Sequence, residues 1–262
     1  MKQFHDFDAR VKRAIEHLDE LTKEAGEFLA APVLRPIQDF DTEPGFLLVK
    51  VKPPGPVPIR LSVLVGEILY QFRAALNNLA CELTELNGQP ATLHTAFPIF
   101  SDRDQFAKWR HKRIGDMSQI HQGWIESEQP FIRYSEDPSH DPLCTLYGLS
   151  DLDRHRALHL TYLTARSEIT SIWPDEVSLT LVDASLERPF DDETIVARYR
   201  VNSAKPGWQR VLADTTVQLD LAFERELGVP FGGQRVFLTV GRIGERIGDM
   251  VKRLVAIDQT VA

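Results

Sequence analysis

The sequence predicts an α+β fold: a helical bundle, with long N-terminal, central and C-terminal helices, packed with a small antiparallel β-sheet. Apolar residues recur at helical spacing in the first part of the chain and again near its end. Between about residues 174 and 223 they alternate with polar residues, as in strands with one buried face. The 262 residues, 43% of them hydrophobic, are enough to bury a large core.

We expect three stretches within one integrated domain. Residues 1–170 form a mainly helical bundle with one early strand, and residues 171–230 form an antiparallel β-meander. Residues 231–262 form a C-terminal helix that returns to the bundle. The boundary near residue 170 follows from the change of hydrophobic period around Trp173.

Stripes of apolar residues define the first four helices. The N-terminal helix covers about residues 8–30, and the central helix runs from Ser62 to Leu86. Two shorter helices follow, one that begins with Ser101 as its N-cap and one over about residues 116–128. The stripe of the central helix consists of Val65, Leu69, Phe72, Leu76, Leu79, Leu83 and Leu86.

Two further helices complete the bundle. One begins at Asp141, an N-cap acid that is followed by Pro142 at the first helical position. Its apolar residues predict that it continues to about Ala165. The C-terminal helix has one apolar face between Val236 and Leu254.

Strand patterns occupy an early segment and the region after Trp173. The early strand covers residues 46–52 and ends at a proline-rich turn. Three later segments alternate apolar and polar residues, at 177–181, 195–201 and 217–223. We expect them to form three or four antiparallel strands, joined by the early strand.

The composition bears on compartment and partners. A net charge of −8 disfavours general attraction to phosphate backbones and anionic lipid. No run approaches the roughly 20 apolar residues that span a bilayer. The two cysteines, Cys81 and Cys144, predict free thiols in a reducing compartment. We therefore expect a cytoplasmic protein without a membrane partner. The sequence has no glycine-rich cofactor motif, so we expect no cofactor.

A band of charged and titratable residues interrupts the helix pattern at residues 149–159. Its segment Arg154-His155-Arg156-Ala157-Leu158-His159 resembles the R-[polar]-x3-H motif of HEPN-domain ribonucleases, which are helical bundles that often dimerise. The resemblance implies metal-independent RNA cleavage, in which Arg154 contacts phosphate, His155 is the adjacent polar residue and His159 transfers protons. It also makes a homodimer a candidate assembly.

The same band has a second interpretation as a metal site. Asp151, His155 and His159 are spaced four apart, so in a continuous helix they lie on one face. Two histidines at that spacing can bind a metal ion, with Asp151 as a ligand or an orienting group. The structural alternative is a hydrogen-bonded pair between Asp151 and His155.

A broader resemblance connects this band to the central helix. A group of uncharacterised bacterial proteins carries the patterns G-[DE]-x-x-H-N-x-R-x-x-L-D-x-L and D-x-D-[KR]-H-R. Residues 151–156 match the second pattern. The matches to the first are Gly66, Glu67, Arg73 and Leu76. The departures from it are Tyr70, Gln71 and Asn77. The resemblance implies no named activity.

The two patterns are expected to meet inside the bundle. A buried charge is costly unless it is paired, so Arg73 or Glu67 should face charges of the later helix. The resulting polar network either fixes the packing of the bundle or lines a functional cleft. Its candidate members are Glu67, Arg73, Asn77, Asp151, Asp153 and Arg156.

One basic cluster contains an aromatic residue, Trp109. Lys108, Arg110, Lys112 and Arg113 are candidate RNA contacts, with Trp109 as a stacking surface. The alternative is a solvated helix face with Trp109 turned inward.

Three functions follow from these patterns. The most specific is HEPN-like RNA cleavage, or an inactive relative of such an enzyme. The second is a non-catalytic module that binds a small molecule or a protein. The third is a metal site on Asp151, His155 and His159.

Overall fold

A computed structural model describes residues 4–30, 36–40, 45–52, 55–173, 177–183, 194–203, 211–224, 227 and 230–261. It confirms the α+β fold. The described α-helices are α1 (His5–Ala30), α2 (Ile59–Leu86), α3 (Arg103–Ile114), α4 (Gln119–Ser127), α5 (Pro130–Arg133), α6 (Pro142–His155) and α7 (Val236–Val261). The described strands are β1 (Ile37–Phe40), β2 (Phe46–Val51), β3 (Leu160–Trp173), β4 (Val177–Asp183), β5 (Thr194–Ser203) and β6 (Leu212–Phe223).

The chain forms two compact units. The helical unit comprises Met1–Thr22, Ser62–Leu158 and Phe237–Ala262. The sheet unit comprises Lys23–Leu61 and His159–Val236. The C-terminal helix therefore belongs to the same unit as the central one, whereas the expected boundary near residue 170 falls inside β3.

The predicted apolar face of α2 is buried in the core of the helical unit. Burial of an apolar stripe is the main source of helix stability in a globular protein. Leu86, the last residue of the predicted stripe, is 43% exposed, because it lies at the end of the helix. The stripe residues that are buried are Val65, Leu69, Phe72, Leu76, Leu79 and Leu83.

The helix starts show how side chains satisfy free backbone amides. The Asp141 side chain accepts a hydrogen bond from the Leu143 amide at 2.9 Å, which confirms the predicted start of α6. The predicted cap of α3 is wrong by one residue. Asp102, not Ser101, caps that helix by accepting a hydrogen bond from the Gln105 amide at 2.8 Å.

The predicted extension of α6 to Ala165 is wrong. The helix ends at His155, and Arg156 already has extended backbone angles. Leu160 begins β3, which is rich in β-branched and aromatic residues that favour strands. The spacing of Leu160 and Leu163 imitates a helical stripe, and this coincidence explains the error.

The described strands form two antiparallel sheets. One has the order β1-β2-β5-β4, in which Val49 lies opposite Ala197, and the other pairs β3 with β6. The early strand therefore joins the later ones as predicted. The connectivity is not a simple meander, because β3 pairs across β4 and β5 in the sequence. Both sheets contribute to one core, with Leu47, Val49, Val51, Val196, Ala197, Tyr199 and Ala213.

None of the described helices combines the length and the apolar character that crossing a bilayer requires.

Candidate functional site

A cleft of about 570 Å³ opens in the helical unit, lined by α1, α2, α3 and α6. Helix α2 supplies one wall through residues three or four apart, which lie on the same helix face. These are Gly66, Tyr70, Arg73, Ala74, Asn77 and Asn78. Helix α6 supplies a second wall in the same way. Its residues are Tyr147, Ser150, Asp153 and Arg154.

Four arginines and one carboxylate line this cleft. The arginines are Arg10, Arg73, Arg113 and Arg154, and the carboxylate is Asp153. Within the described part of the chain, Arg154 is the one arginine of the four that pairs with a carboxylate. The cleft is therefore strongly positive, although the whole chain carries a net charge of −8.

Arg73 and Asn77 both bind the backbone of Phe97. Arg73 Nη1 donates to the Phe97 carbonyl oxygen at 3.0 Å, and the Phe97 amide donates to Asn77 Oδ1 at 3.2 Å. The two residues are one turn apart on α2, so together they fix the chain that leads to α3. The guanidinium of Arg73 retains further N–H donors beyond this bond.

The charge of Arg73 is poorly compensated. Burial is the main reason that the pKa of Arg73 falls to about 10; the nearby cations Arg113 and Arg154 act in the same direction, and Tyr147 opposes them. Arg113 makes no side-chain hydrogen bond or ion pair within the ranges described. Arg10 donates to the neutral Gln71 Oε1 at 3.1 Å. An anion in the cleft would relieve this concentration of positive charge.

Two polar groups of α6 lack hydrogen-bond partners among the described residues. Ser150 Oγ is buried and unpaired. Asp153 accepts no hydrogen bond there, and burial raises the pKa of this carboxyl group. The Asp153 carboxylate lies directly over Gly66, where a Cβ atom would come within 2.5 Å of it. An unpaired acceptor in a cleft is a natural place for a ligand donor.

The predicted catalytic residues do not share one helix. Arg154 is exposed at the cleft and donates to Asp151 Oδ1 at 2.6 Å. His155 is the exposed last residue of α6. His159 lies beyond the helix, in the sheet unit, where its carbonyl oxygen accepts a hydrogen bond from the Glu224 amide. The spacing that placed Asp151, His155 and His159 on one helical face is therefore not realised.

The metal interpretation depended on that face. Across the part of the chain that the structure describes, no three His, Cys, Asp or Glu side chains are grouped so that they could hold a metal ion. Asp151 instead pairs with Arg154, and the predicted bond from Asp151 to His155 is not among the described contacts.

The predicted polar network is divided. Arg73, Asn77 and Asp153 line the cleft. Glu67 instead lies 3.4 Å from Nδ1 of the buried His17, a contact that the sequence did not predict. Arg156 is exposed at the end of α6.

The basic cluster on α3 is also divided. Arg110 pairs with Glu126 at 3.1 Å, whereas Arg113 lines the cleft. The ammonium groups of Lys108 and Lys112 lie 5.9 and 5.7 Å from the ring centre of Trp109. Trp109 is partly exposed. Of the four predicted RNA contacts, Arg113 is thus the one that faces the cleft.

A buried ion cluster escaped the sequence analysis. The fully buried Glu128 accepts hydrogen bonds from Arg133, Arg246 and Arg253, with distances of 2.7–3.2 Å. Arg246 also lies 3.3 Å from the buried Asp141. The sequence contained one signal, because Arg246 interrupts the apolar face of α7. Glu128 offered none.

The pKa values of the two acids in this cluster are shifted in opposite directions. Burial alone would raise the pKa of Glu128, but the three arginines outweigh burial and lower the pKa to about 2. Burial raises the pKa of Asp141, in spite of its bonds to the Leu143 amide and Arg246. Glu128 is thus an anion at neutral pH, and its bonds join the end of α4 and the end of α5 to α7.

Comparison with protein-family models, with curated proteins and with solved structures gives no match for this chain.

Proposed function

We propose that the helical unit binds a small anionic molecule in the cleft between α2 and α6. The observation that carries the proposal is the set of three cleft arginines, Arg10, Arg73 and Arg113, that have no carboxylate partner among the described residues. Charges removed from water are costly unless they are paired, so such a set is typical of a site that awaits an anion.

The size and chemistry of the cleft support this function. A volume of about 570 Å³ lies within the usual range of small-molecule sites, roughly 300–1,000 Å³. Guanidinium groups form paired hydrogen bonds with carboxylates and phosphates. The bond of Arg73 to the Phe97 backbone, which Asn77 also binds, keeps the Arg73 guanidinium oriented before a ligand binds.

Anion binding can be tested with Arg113→Gln, since this side chain makes no other described polar contact. Isothermal titration calorimetry with inorganic phosphate and pyrophosphate at low salt gives the affinity. We expect the variant to bind about 10- to 100-fold more weakly, because a hydrogen bond to a charged group contributes about 1.5–3 kcal/mol.

The matched control is Arg110→Gln. It removes the same charge from the same helix, but Arg110 pairs with Glu126 outside the cleft. We expect unchanged anion affinity. If no anion binds, or if both variants lose affinity equally, the proposal is wrong.

A further inference from the structure

The cleft is chemically different at its two ends. Arg73 and Arg113 provide donors at one end, whereas Asp153 provides an unpaired carboxylate beside Gly66 at the other. Ser150, one turn before Asp153 on α6, adds an unpaired hydroxyl oxygen to the cleft. Gly66 and Arg73 are seven positions apart on α2, which corresponds to about 10 Å along the helix axis. A ligand that satisfies both ends must carry an anionic group and, about 10 Å away, a hydrogen-bond donor.

Two tyrosines also line the cleft, and on α2 Tyr70 lies between Gly66 and Arg73. Tyr70 on α2 and Tyr147 on α6 line the cleft and remain 59% and 49% exposed. Arg10 lies 5.9 Å from the ring centre of Tyr70, close enough for a cation–π contact. Exposed aromatic rings in a cleft favour a planar ligand that stacks on them.

We infer that the ligand is a nucleoside monophosphate, whose phosphate binds the arginine end and whose base lies on the tyrosines with its donor edge toward Asp153. This inference rests on the proposed anion binding and adds the ligand class. Inorganic phosphate and small dicarboxylates reach one end of the cleft only. A free nucleoside lacks the anion that the arginines require.

The acid end should determine the preference for a nucleotide over bare phosphate. Asp153→Asn keeps the shape of the side chain but replaces one acceptor oxygen with a donor. We expect it to lower the affinity for nucleotides about tenfold while the affinity for inorganic phosphate stays the same. Arg113→Gln should weaken both ligands.

The experiment is a calorimetric titration of the full chain with AMP, GMP, CMP and UMP, and with inorganic phosphate, adenosine and a short single-stranded RNA. The readout is the ratio of nucleotide affinity to phosphate affinity. Asp104→Asn is the matched control, because it makes the same chemical change at an exposed aspartate of α3 that does not line the cleft. Circular dichroism establishes that each variant is folded.

The inference is supported if at least one nucleotide binds tenfold more tightly than phosphate and Asp153→Asn alone reduces that ratio. Phosphate binding without any nucleotide preference overturns the ligand class but leaves anion binding intact. Absence of all binding overturns both. Tighter binding of a short RNA, with no effect of Asp153→Asn, overturns the mononucleotide in favour of RNA.

Discussion

Asp153 lies against Gly66 so closely that no side chain fits at that point between α6 and α2. A Cβ atom on Gly66 would lie 2.5 and 2.6 Å from the two carboxylate oxygens. Glycine therefore permits the acid to reach the surface of α2, where it forms one end of the cleft. This contact also joins the two patterns, Gly66 and Asp153, that the sequence had singled out separately.

Gly66→Ala tests this contact. An alanine usually stabilises a helix by about 1 kcal/mol relative to glycine, but here it must displace the Asp153 carboxylate. We expect no gain in the free energy of unfolding, measured with urea, and weaker nucleotide binding. In an Asp153→Ala background the same change should recover the gain. Gly123→Ala in α4 is the control, since nothing lies within 4 Å of its added Cβ.

Equal stabilisation by Gly66→Ala and Gly123→Ala in the native background would show that the Asp153 carboxylate does not oppose a side chain at position 66.

Removing the charge of Glu128 should strongly destabilise the helical unit. Glu128→Gln leaves Arg133, Arg246 and Arg253 close together without their shared anion. Breaking a buried ion pair on one side costs about 3–5 kcal/mol, and we expect a loss of that size in urea unfolding. Glu126→Gln, two residues away, breaks a partly exposed pair with Arg110 and should cost less than about 1 kcal/mol. Similar losses for both variants would show that the cluster contributes little.

The contribution of Glu128 should depend on pH. Its pKa is about 2 in the folded chain and 4.5 ordinarily, so its stabilisation is complete above pH 4.5 and is lost as the pH falls toward 2. The raised pKa of Asp141 acts in the opposite direction, since its protonation favours the folded state as the pH falls. The difference in unfolding free energy between the native chain and Glu128→Gln isolates the first effect. We expect this difference to be constant from pH 7 to 4.5 and to narrow below 4.5.

A pH-independent difference down to pH 3 would argue against the depressed pKa of Glu128.

RNA cleavage remains a separate prediction of the HEPN resemblance. It states that the pure protein cleaves RNA in EDTA and that Arg154→Ala and His159→Ala each abolish this activity. The position of Arg154 at the cleft suits a phosphate contact, whereas His159 lies outside α6. Gel analysis of a labelled RNA measures the cleavage. The proposal fails if no cleavage occurs or if both variants cleave as fast as the native chain.

Local pattern was enough to predict α2 and the start of α6. The buried stripe of α2 repeats with a clear helical period, and Asp141-Pro142 is a strong initiation signal. Pattern failed after His155, because β3 begins with leucines at helical spacing. The conformation of this segment depends on the pairing of β3 with β6, and the local sequence of β3 does not reveal that pairing.

The candidate site was predictable only in part. Arg73, Asn77 and Asp153 were identified from the two patterns and from the cost of burying charge. Arg10, Tyr147 and Ser150 were missed, because each becomes part of the cleft through packing between helices that are distant in sequence. Arg113 was identified for its charge but assigned to a surface cluster.

Glu128 also has a consequence for the order of events during synthesis. A nascent chain that has emerged as far as β6 already contains Glu128 and Arg133, but Arg246 and Arg253 of α7 have not yet been synthesised. Before α7 is synthesised, burying Glu128 is less favourable than leaving it in contact with water, because two of its three arginine partners are absent. We therefore expect a ribosome-bound intermediate that leaves the end of α4 accessible to chaperones and proteases.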